Sequence, residues 1–275
     1  MELLEIKQHW ENWSNKFKTD LRATTKTSTI KKLEIAALSR ALNKTHFLKT
    51  DNLNILEVGC GNGYNCYALA ELFQAYHFTG VDYIPSMIEN AKEIQNANLE
   101  KYSKIHFYTG DILNLDMHQN LQKKYHIVFT DRCIINLNNN ELQLKAIDQL
   151  IDKVEKNGYL IVLENFIQTF SKQNECRTKV GLPERKASEF NYFMDMDKLL
   201  SHVKQCMQLI HIDDFGSLHD IVLYVLIPMI NDGKIDYNHE LVQAATDLSI
   251  SLSNQSNNPF GNFGQNRLLL LRKVY

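Results

Sequence analysis

The sequence predicts an α/β protein built on a mostly parallel sheet with helices on both faces. Between residues 50 and 165, short apolar runs that end in glycine or an acidic residue alternate with segments of helical spacing. Four of these runs end in polar residues at the strand ends where open α/β sheets bind ligands. A length of 275 residues fits one elaborated domain better than two independent ones.

Composition narrows the classes of function. The formal net charge is −2, and basic residues are dispersed among acidic ones, so no basic stripe suited to nucleic acid is present. No apolar run approaches the ~20 residues that cross a bilayer. The five cysteines include no C-x-x-C pair, and no cluster of metal ligands is apparent. We therefore expect a cytoplasmic protein with reduced thiols, no bound metal, no membrane and no nucleic acid.

Two helices are predicted before the first strand, over residues 3–18 and about 27–48, and we expect residues 1–48 to form a helical cap on a main domain of residues 49–275. Lys31 and Lys32, on the second helix, are interpreted as part of a solvated helix face.

The first strand leads into the segment Ile55–Gly63, which reads I-L-E-V-G-C-G-N-G. Gly59, Gly61 and Gly63 allow the backbone to pass close under a ligand and to turn into a helix over Tyr64–Phe73. Their spacing differs from the G-x-G-x-x-G of dinucleotide sites. Glu57 is placed to reach back toward a positive group.

The second strand, Phe78–Val81, ends at Asp82, about 20 residues past the glycine loop, where Rossmann-like folds place a ribose-binding carboxylate. A helix-capping or surface aspartate is the alternative. Ser86 is expected to cap the helix that runs to about Asn96.

The third strand closes in Gly110 and Asp111, and the fourth, His126–Thr130, leads into Asp131 and Arg132. An amphipathic helix follows, with an apolar stripe from Leu142 to Val154. The sequence K-N-G at residues 156–158 is interpreted as the C-terminal stop of that helix before a strand over Tyr159–Leu163.

The regular alternation breaks off after the fifth strand. Residues 164–196 form a polar insertion with five aromatic residues, which we interpret as a cover over the substrate. Further elements are predicted as a helix near 197–208, strands near 209–215 and 220–226, a helix near 239–251, and an antiparallel last strand over 267–274. Residues 254–266 are predicted to be a loop.

The segment E-x-G-x-G-x-G at residues 57–63, together with Asp82, Asp111 and residues 130–137, resembles the class I S-adenosylmethionine-dependent methyltransferases. The resemblance covers about residues 50–165 and implies their Rossmann-like fold, with S-adenosylmethionine as cofactor. It implies that Asp82 binds the ribose hydroxyls and Asp111 the adenine amino group. The cofactor contacts that it implies are Arg22, Thr25, Glu57, Gly59, Cys60, Gly61, Gly63, Asp82, Tyr83, Met87, Gly110, Asp111, Ile112 and Asp131.

Residues 164–191 are similar to a subset of bacterial methyltransferases of surface-polysaccharide and small-molecule pathways, which implies a small anionic or sugar-like acceptor and O-methylation. Asp131, Arg132 and Glu164 are the catalytic candidates, Asp131 and Glu164 as bases. The substrate candidates are Trp10, Arg132, Asn165, Arg177, Asn191 and Tyr192. Arg132, Arg177 and Arg185 can clamp an anion, but surface ion pairs are the alternative.

The sequence leaves alternatives for the role of two residues, for the function and for the oligomeric state. Arg22 and Thr25 fit a plain interhelical loop as well as a ligand site. A non-catalytic S-adenosylmethionine-binding protein, or a nicotinamide-dependent oxidoreductase, are the alternative functions. The chain can act as a monomer or as a homodimer.

Overall fold

The computed structural model describes residues 1–253 and 260–275. It contains a seven-stranded sheet with the strand order β3-β2-β1-β4-β5-β7-β6. The strands are β1 (Asn54–Val58), β2 (His77–Asp82), β3 (Ile105–Thr109), β4 (Tyr125–Asp131), β5 (Val154–Asn165), β6 (Met207–Asp213) and β7 (Asn266–Lys273). The first five are parallel, and β7 lies antiparallel between β5 and β6. This arrangement confirms the predicted fold class.

Ten α-helices lie in the described part of the chain. They are α1 (Leu3–Phe17), α2 (Ser28–Asn43), α3 (Tyr64–Leu72), α4 (Pro85–Asn96), α5 (Asn140–Lys153), α6 (Ile167–Lys179), α7 (Met196–Val203), α8 (Ser217–Ile221), α9 (Ile227–Ile230) and α10 (Glu240–Leu252). None is long and apolar enough to cross a bilayer.

Both faces of the sheet are covered by helices, and the run of leucines in strand β7 reflects this. Leu268 and Leu270 belong to a core cluster with residues of α2, α3 and α4, whereas Leu269 and Leu271 belong to a second cluster with residues of α5 and α7. Side chains alternate between the two faces of a strand. A run of four buried leucines is therefore explained by a helical layer on each side.

Two local predictions of secondary structure are wrong. Residues 220–226, predicted as a strand, are helical, because they continue α8 into a π-helical segment, Val222–Leu226, that leads to α9. A short apolar run fits a buried helix as well as a strand. The K-N-G segment does not end α5, which stops at Lys153; it lies within β5, where Asn157 has a left-handed φ of 63°.

Other boundaries differ in smaller ways. The insertion after β5 is partly regular, because α6 occupies its first half. Ser86 does not cap α4, whose N-cap is Ile84 followed by Pro85 at the first helical position. The predicted loop of residues 254–266 is described only from Phe260 onward; its part at residues 254–259 lies outside the described residues.

Candidate active site

A cavity of about 780 Å³ opens at the carboxyl ends of β1, β2 and β4, and α1 lies over it. Ligands of open α/β sheets bind at this edge. Sixteen of the residues proposed from the sequence line this one cavity. They are Trp10, Thr25, Gly59, Cys60, Gly61, Asp82, Tyr83, Met87, Gly110, Asp111, Ile112, Asp131, Arg132, Asn165, Arg185 and Asn191.

The floor of the cavity is the glycine loop after β1. Gly59 and Gly61 have φ values of 79° and 53°, in the left-handed region that side chains disfavour. A Cβ atom at Gly61 would lie 2.4 Å from the Thr24 methyl carbon, and one at Gly59 would lie 2.3 Å from Cys133 Sγ. Glycine is needed at both positions because neighbouring segments pack directly on the loop.

Asp82, at the end of β2, is held by the backbone beside it. Its Oδ2 accepts a hydrogen bond from Gly61 N at 2.8 Å, and its Oδ1 accepts one from Ile84 N at 2.9 Å. Burial raises the pKa of this carboxyl to about 6. A carboxylate offers about four lone-pair sites, so Asp82 retains acceptor capacity on a wall of the cavity.

Asp111 caps the 3₁₀ turn Ile112–Met117. Its Oδ1 accepts a hydrogen bond from Leu113 N at 2.9 Å, and its Oδ2 accepts one from the Asn114 side chain at 3.3 Å. The capping fixes the carboxylate at the rim of the cavity, on the side of Asp82 and Met87.

A buried cluster of four charged side chains lies beside the glycine loop. Lys31 Nζ lies 2.6 Å from Glu34 Oε2 and 2.8 Å from Asp131 Oδ2, and Arg132 Nε lies 2.6 Å from Glu34 Oε1. Asn65 donates to Asp131 Oδ2 at 2.9 Å. The solvated face predicted for Lys31 is wrong, since its side chain is only 4% exposed.

The charges of this cluster compensate one another. Burial alone would raise the pKa of Asp131, but Lys31 and Arg132 hold that pKa below its ordinary value. Arg132 has a left-handed φ of 51°, an uncommon conformation for a residue with a side chain. Residues in such conformations often occur at functional sites.

Two residues proposed as cofactor contacts lie away from the cavity. Arg22 is directed to solvent: its side chain is 60% exposed and forms an ion pair with Asp20 at 2.8 Å. Glu57 is buried behind the loop, where it accepts hydrogen bonds from Asn65 Nδ2 at 2.7 Å and Cys66 Sγ at 3.0 Å. Burial raises the pKa of Glu57 to about 7. These placements correct the expected contacts, and Glu57 positions Asn65 instead.

Gly63 also lies outside the cavity wall. It forms the N-cap of α3 with a φ of 81°, and a Cβ atom there would meet the Phe107 ring at 2.6 Å. Its role is to let α3 begin close to the sheet.

Glu164 does not reach the cavity either, although it was proposed as a base. Its carboxylate lies under the turn after β4 and accepts hydrogen bonds from the backbone amides of Cys133, Ile134 and Ile135 at 2.9, 2.9 and 3.3 Å. Burial raises its pKa to about 8. Glu164 therefore holds the turn that follows Arg132. Its side chain is fully buried, so neither carboxylate oxygen is open to a ligand in the cavity.

Two substrate candidates are structural as well. Arg177 is buried and donates to the backbone oxygens of Pro183, at 2.8 Å, and Tyr224. Tyr192 is exposed, and its hydroxyl accepts a hydrogen bond from Asn140 at 3.1 Å. Both side chains fasten the segment between α6 and α7, and neither lines the cavity.

Aromatic side chains and Arg185 form a further part of the cavity wall. Phe190 stacks on His9 with ring centroids 4.3 Å apart and meets Trp10 edge-on at 5.7 Å. Arg185 lies over the Tyr224 ring, 3.4 Å from its centroid, and donates to Gln173 at 2.9 Å. The Phe190 contacts join α1 to the segment after α6 and close the cavity from above.

Several residues of the site were missed by the sequence analysis. Lys31, Glu34 and Asn65 are brought together only by the packing of α2 and α3 on the end of β4. His219 and Asp220 were assigned to no site, although an adjacent His-Asp pair is itself a signal. Gln265 and Asn266 enter the site because β7 begins there.

A family model described as a methyltransferase domain matches residues 49–220. The chain belongs to the methyltransferase-domain family. This assignment confirms the resemblance predicted from the glycine loop and the acidic strand ends, and with it S-adenosylmethionine as the cofactor. Within the described residues no group of three or more His, Cys, Asp or Glu side chains is arranged to hold a metal ion.

The curated proteins similar to this chain are methyltransferases named for different acceptors. The chain is 32% identical over 106 residues to a malonyl-[acyl-carrier protein] O-methyltransferase of Bacillus cereus, covering 38% of this chain and 36% of that protein. It is 28% identical over 133 residues to the human arsenite methyltransferase, covering 46% and 34% of the two chains. The matches thus span about a third of these relatives.

One solved structure with the same fold is the magnesium protoporphyrin IX methyltransferase from Synechocystis with bound S-adenosylhomocysteine. It superposes with a TM-score of 0.58 and 11% identity, over 98% of this chain and 99% of that one. At this identity the likeness shows the fold.

The methyltransferase-domain assignment fits the residues of the cavity. The cofactor carries two ribose hydroxyls, an adenine, and an ammonium and a carboxylate on its methionine end. Asp82 offers a carboxylate for the hydroxyls, and the glycine loop allows close approach of backbone. Asp131 Oδ1 is buried and has no hydrogen-bond partner among the described residues, so it can accept from the ammonium. The individual contacts stay predictions.

Proposed function

We propose that this methyltransferase-domain protein methylates an oxygen of a small, sugar-like acceptor that also carries an anionic group. The observation that carries the proposal is a set of buried amide oxygens among the residues that line the cavity. Asn165 Oδ1, Asn191 Oδ1, Gln265 Oε1 and Asn266 Oδ1 have no hydrogen-bond partner among the described residues. Unpaired buried polar atoms are costly. An acceptor with several hydroxyl groups would pair with them, because hydroxyls both donate and accept.

Arg185 supports the anionic part of the proposal. Lys31 and Arg132, which also line the cavity, are paired with Glu34 or Asp131. Arg185 contacts Gln173 and two aromatic rings but has no ion pair with a carboxylate in the described part of the chain. A guanidinium free of a carboxylate binds carboxylate or phosphate oxygens bidentately.

The size of the site supports a small acceptor. A cavity of about 780 Å³ lies within the range of roughly 300–1,000 Å³ typical of small-molecule sites. The cofactor and the acceptor must share it under a roof of aromatic side chains, which leaves little room for a folded macromolecule.

Oxygen is proposed as the acceptor atom because the cavity offers groups that bind hydroxyls, and because one relative is named as an O-methyltransferase. When bound, S-adenosylmethionine supplies an electrophilic methyl carbon on a sulfonium centre. The chain then has to hold the acceptor oxygen in line with that carbon and exclude water. Orientation of this kind lowers a barrier by roughly 7–11 kcal/mol.

The proposal is tested by incubating the protein with methyl-labelled S-adenosylmethionine and three fractions of a cell lysate: a deproteinised small-molecule filtrate, purified RNA and total protein. We expect the label in the filtrate, on a product whose methyl group is attached to oxygen. Label confined to RNA or protein, or a methyl group on nitrogen or sulfur, would contradict the proposal.

Arg185→Gln gives the matched test of the anionic group. We expect the KM for the filtrate acceptor to rise at least tenfold, because a charge-assisted hydrogen bond contributes about 1.5–3 kcal/mol. Lys186→Gln, at the exposed neighbouring position, is the control and should leave KM unchanged. An equal effect of the two changes would remove Arg185 from the acceptor site.

A further inference from the structure

His219 lies in α8, lines the cavity and is only 2% exposed. Its Nδ1 lies 2.8 Å from Asp220 Oδ1. Its Nε2 is buried and has no hydrogen-bond partner among the described residues. A buried ring nitrogen on a cavity wall is available to a ligand in that cavity.

The second carboxylate oxygen of Asp220 is also held by hydrogen bonds. Its Oδ2 accepts hydrogen bonds from Gln173 Nε2 at 2.9 Å and from the backbone amide of Gln265 at 2.7 Å. A carboxylate only accepts hydrogen bonds, so the proton of the neutral imidazole lies on Nδ1. The Nε2 atom of His219 then carries a lone pair.

The His219–Asp220 pair is linked through Gln265 to the carboxyl end of β5. Gln265 directly precedes β7, whose Asn266 pairs with Asn165 at the end of β5. Asn266 Nδ2 donates to Glu34 Oε1 at 3.3 Å, inside the buried charge cluster that includes Asp131. His219, Asn165 and Asn266 all line the same cavity.

The carboxylates named from the sequence are poorly suited to accept a proton. Asp131 Oδ2 is held by Lys31 and Asn65, and its unpartnered Oδ1 is the atom available to the ammonium of the cofactor. Glu164 is bound to three backbone amides outside the cavity. His219 Nε2 is free of such contacts among the described residues.

We propose that His219 is the general base of the reaction, oriented by Asp220, and that the methyl acceptor is a neutral hydroxyl. This inference rests on the proposed function. As the acceptor oxygen forms its bond to the methyl carbon, the hydroxyl proton passes to His219 Nε2, and the carbon–sulfur bond breaks with its electron pair on sulfur. Asp220 stabilises the resulting imidazolium, which returns the proton to solvent after the methylated product leaves.

His219→Ala is the first test, with the small-molecule filtrate and S-adenosylmethionine as substrates. A positioned base contributes about 10²–10⁴-fold, so we expect kcat to fall by at least 100-fold while the affinity for S-adenosylhomocysteine changes less than twofold. Added imidazole should restore part of the turnover, which a purely structural histidine would not allow. His106→Asn, at an exposed position on β3, is the control.

The outcomes separate the two proposals. Wild-type turnover that His219→Ala retains, or a loss that imidazole does not restore in a folded variant with unchanged affinity, refutes the base. Wild-type protein that binds S-adenosylhomocysteine but methylates nothing in the filtrate refutes the proposed function.

A second measurement needs no acceptor. In protein labelled with ¹⁵N-histidine and bound to S-adenosylhomocysteine, the resonances that disappear in His219→Asn identify the ring. We expect a protonated Nδ1 and an unprotonated Nε2. The opposite tautomer would overturn the assignment of His219 as base, whatever the turnover.

Discussion

Two adjacent lysines show how differently single residues behave in this protein. Lys31 is buried between Glu34 and Asp131, whereas Lys32 is exposed on the next position of α2. The same contrast holds for the carboxylates that end the strands. Asp82 lines the cavity, while Glu57 and Glu164 lie behind it and hold the backbone or side chains of the site. Each role depends on what surrounds the side chain.

Lys31→Met is predicted to destabilise the protein by about 3–5 kcal/mol, because removal of one partner leaves buried carboxylates uncompensated. Lys32→Met should change the free energy of unfolding by less than about 0.5 kcal/mol, since it is a surface substitution. Urea unfolding at neutral pH measures both. Similar values for the two variants would contradict the buried charge cluster.

Glu57→Gln is predicted to alter the pH dependence of stability. Burial raises the pKa of Glu57 in the folded protein to about 7, from an ordinary value of 4.5. The folded state therefore binds more protons than the unfolded state between these values, and the contribution of Glu57 to stability falls as pH rises through that window.

Glutamine does not titrate, so Glu57→Gln should gain stability relative to wild type between pH 4.5 and 8, by an amount on the order of 1–3 kcal/mol. Urea unfolding at several pH values checks this. Because the glutamine Oε1 can still accept the hydrogen bond from Asn65 and the side chain lies outside the cavity, the affinity for S-adenosylhomocysteine should be unchanged. Parallel pH profiles for the two proteins would show that the carboxyl is ionised in the fold at neutral pH.

At the scale of elements, the cavity is closed by parts of the chain that lie outside the sheet. Helix α1 and the segment after α6 meet over the strand ends through His9, Trp10 and Phe190. Trp10 also donates to Asn136, in the turn that follows Arg132, at 3.0 Å. The roof is therefore held together by aromatic contacts, and the Trp10–Asn136 hydrogen bond joins it to the turn after β4.

Phe190→Ala is predicted to raise the dissociation rate of S-adenosylhomocysteine by roughly tenfold, since an aromatic pair contributes about 0.5–1.5 kcal/mol beyond its buried area. Both tryptophans of the chain lie in α1, so stopped-flow tryptophan fluorescence reports on this helix. Tyr192→Phe, outside the cavity, is the control. A dissociation rate equal to that of wild type would show that the roof does not retain the ligand.

At the scale of the whole molecule, the parallel strands β1, β2 and β4 bring separate loops to one edge of the sheet, and Asn266 at the start of β7 lines the same cavity. A ligand that contacts several of these loops stabilises the folded chain as a unit. The increase in the free energy of unfolding on ligand binding therefore tests whether these loops form one binding site.

S-adenosylhomocysteine at about 100 times its Kd is predicted to add roughly 2.7 kcal/mol to the free energy of unfolding, which corresponds to a rise in Tm of roughly 5–10 °C. Asp82→Asn should reduce this shift strongly, while Asp116→Asn, at an exposed position, should retain it. NAD should give no shift. A stabilisation by NAD of similar size would favour the nicotinamide-dependent alternative.

Much of the fold followed from local patterns. The parallel strands and the glycine loop are predicted correctly because hydrophobic periodicity and left-handed glycines are properties of short segments. The strand predicted at residues 220–226 failed because an apolar run of that length suits a buried helix equally well.

Local sequence thus suffices for the sheet, the family and the acidic residues at the strand ends, since each depends on neighbours along the chain. The chemistry of the site depends on distant residues. Lys31 meets Asp131, and Asp220 meets Gln173 and Gln265, only after the layers pack. Packing removes water from these groups and sets which partners remain, and that physical step decides which side chains bind, which only support, and which can carry a proton.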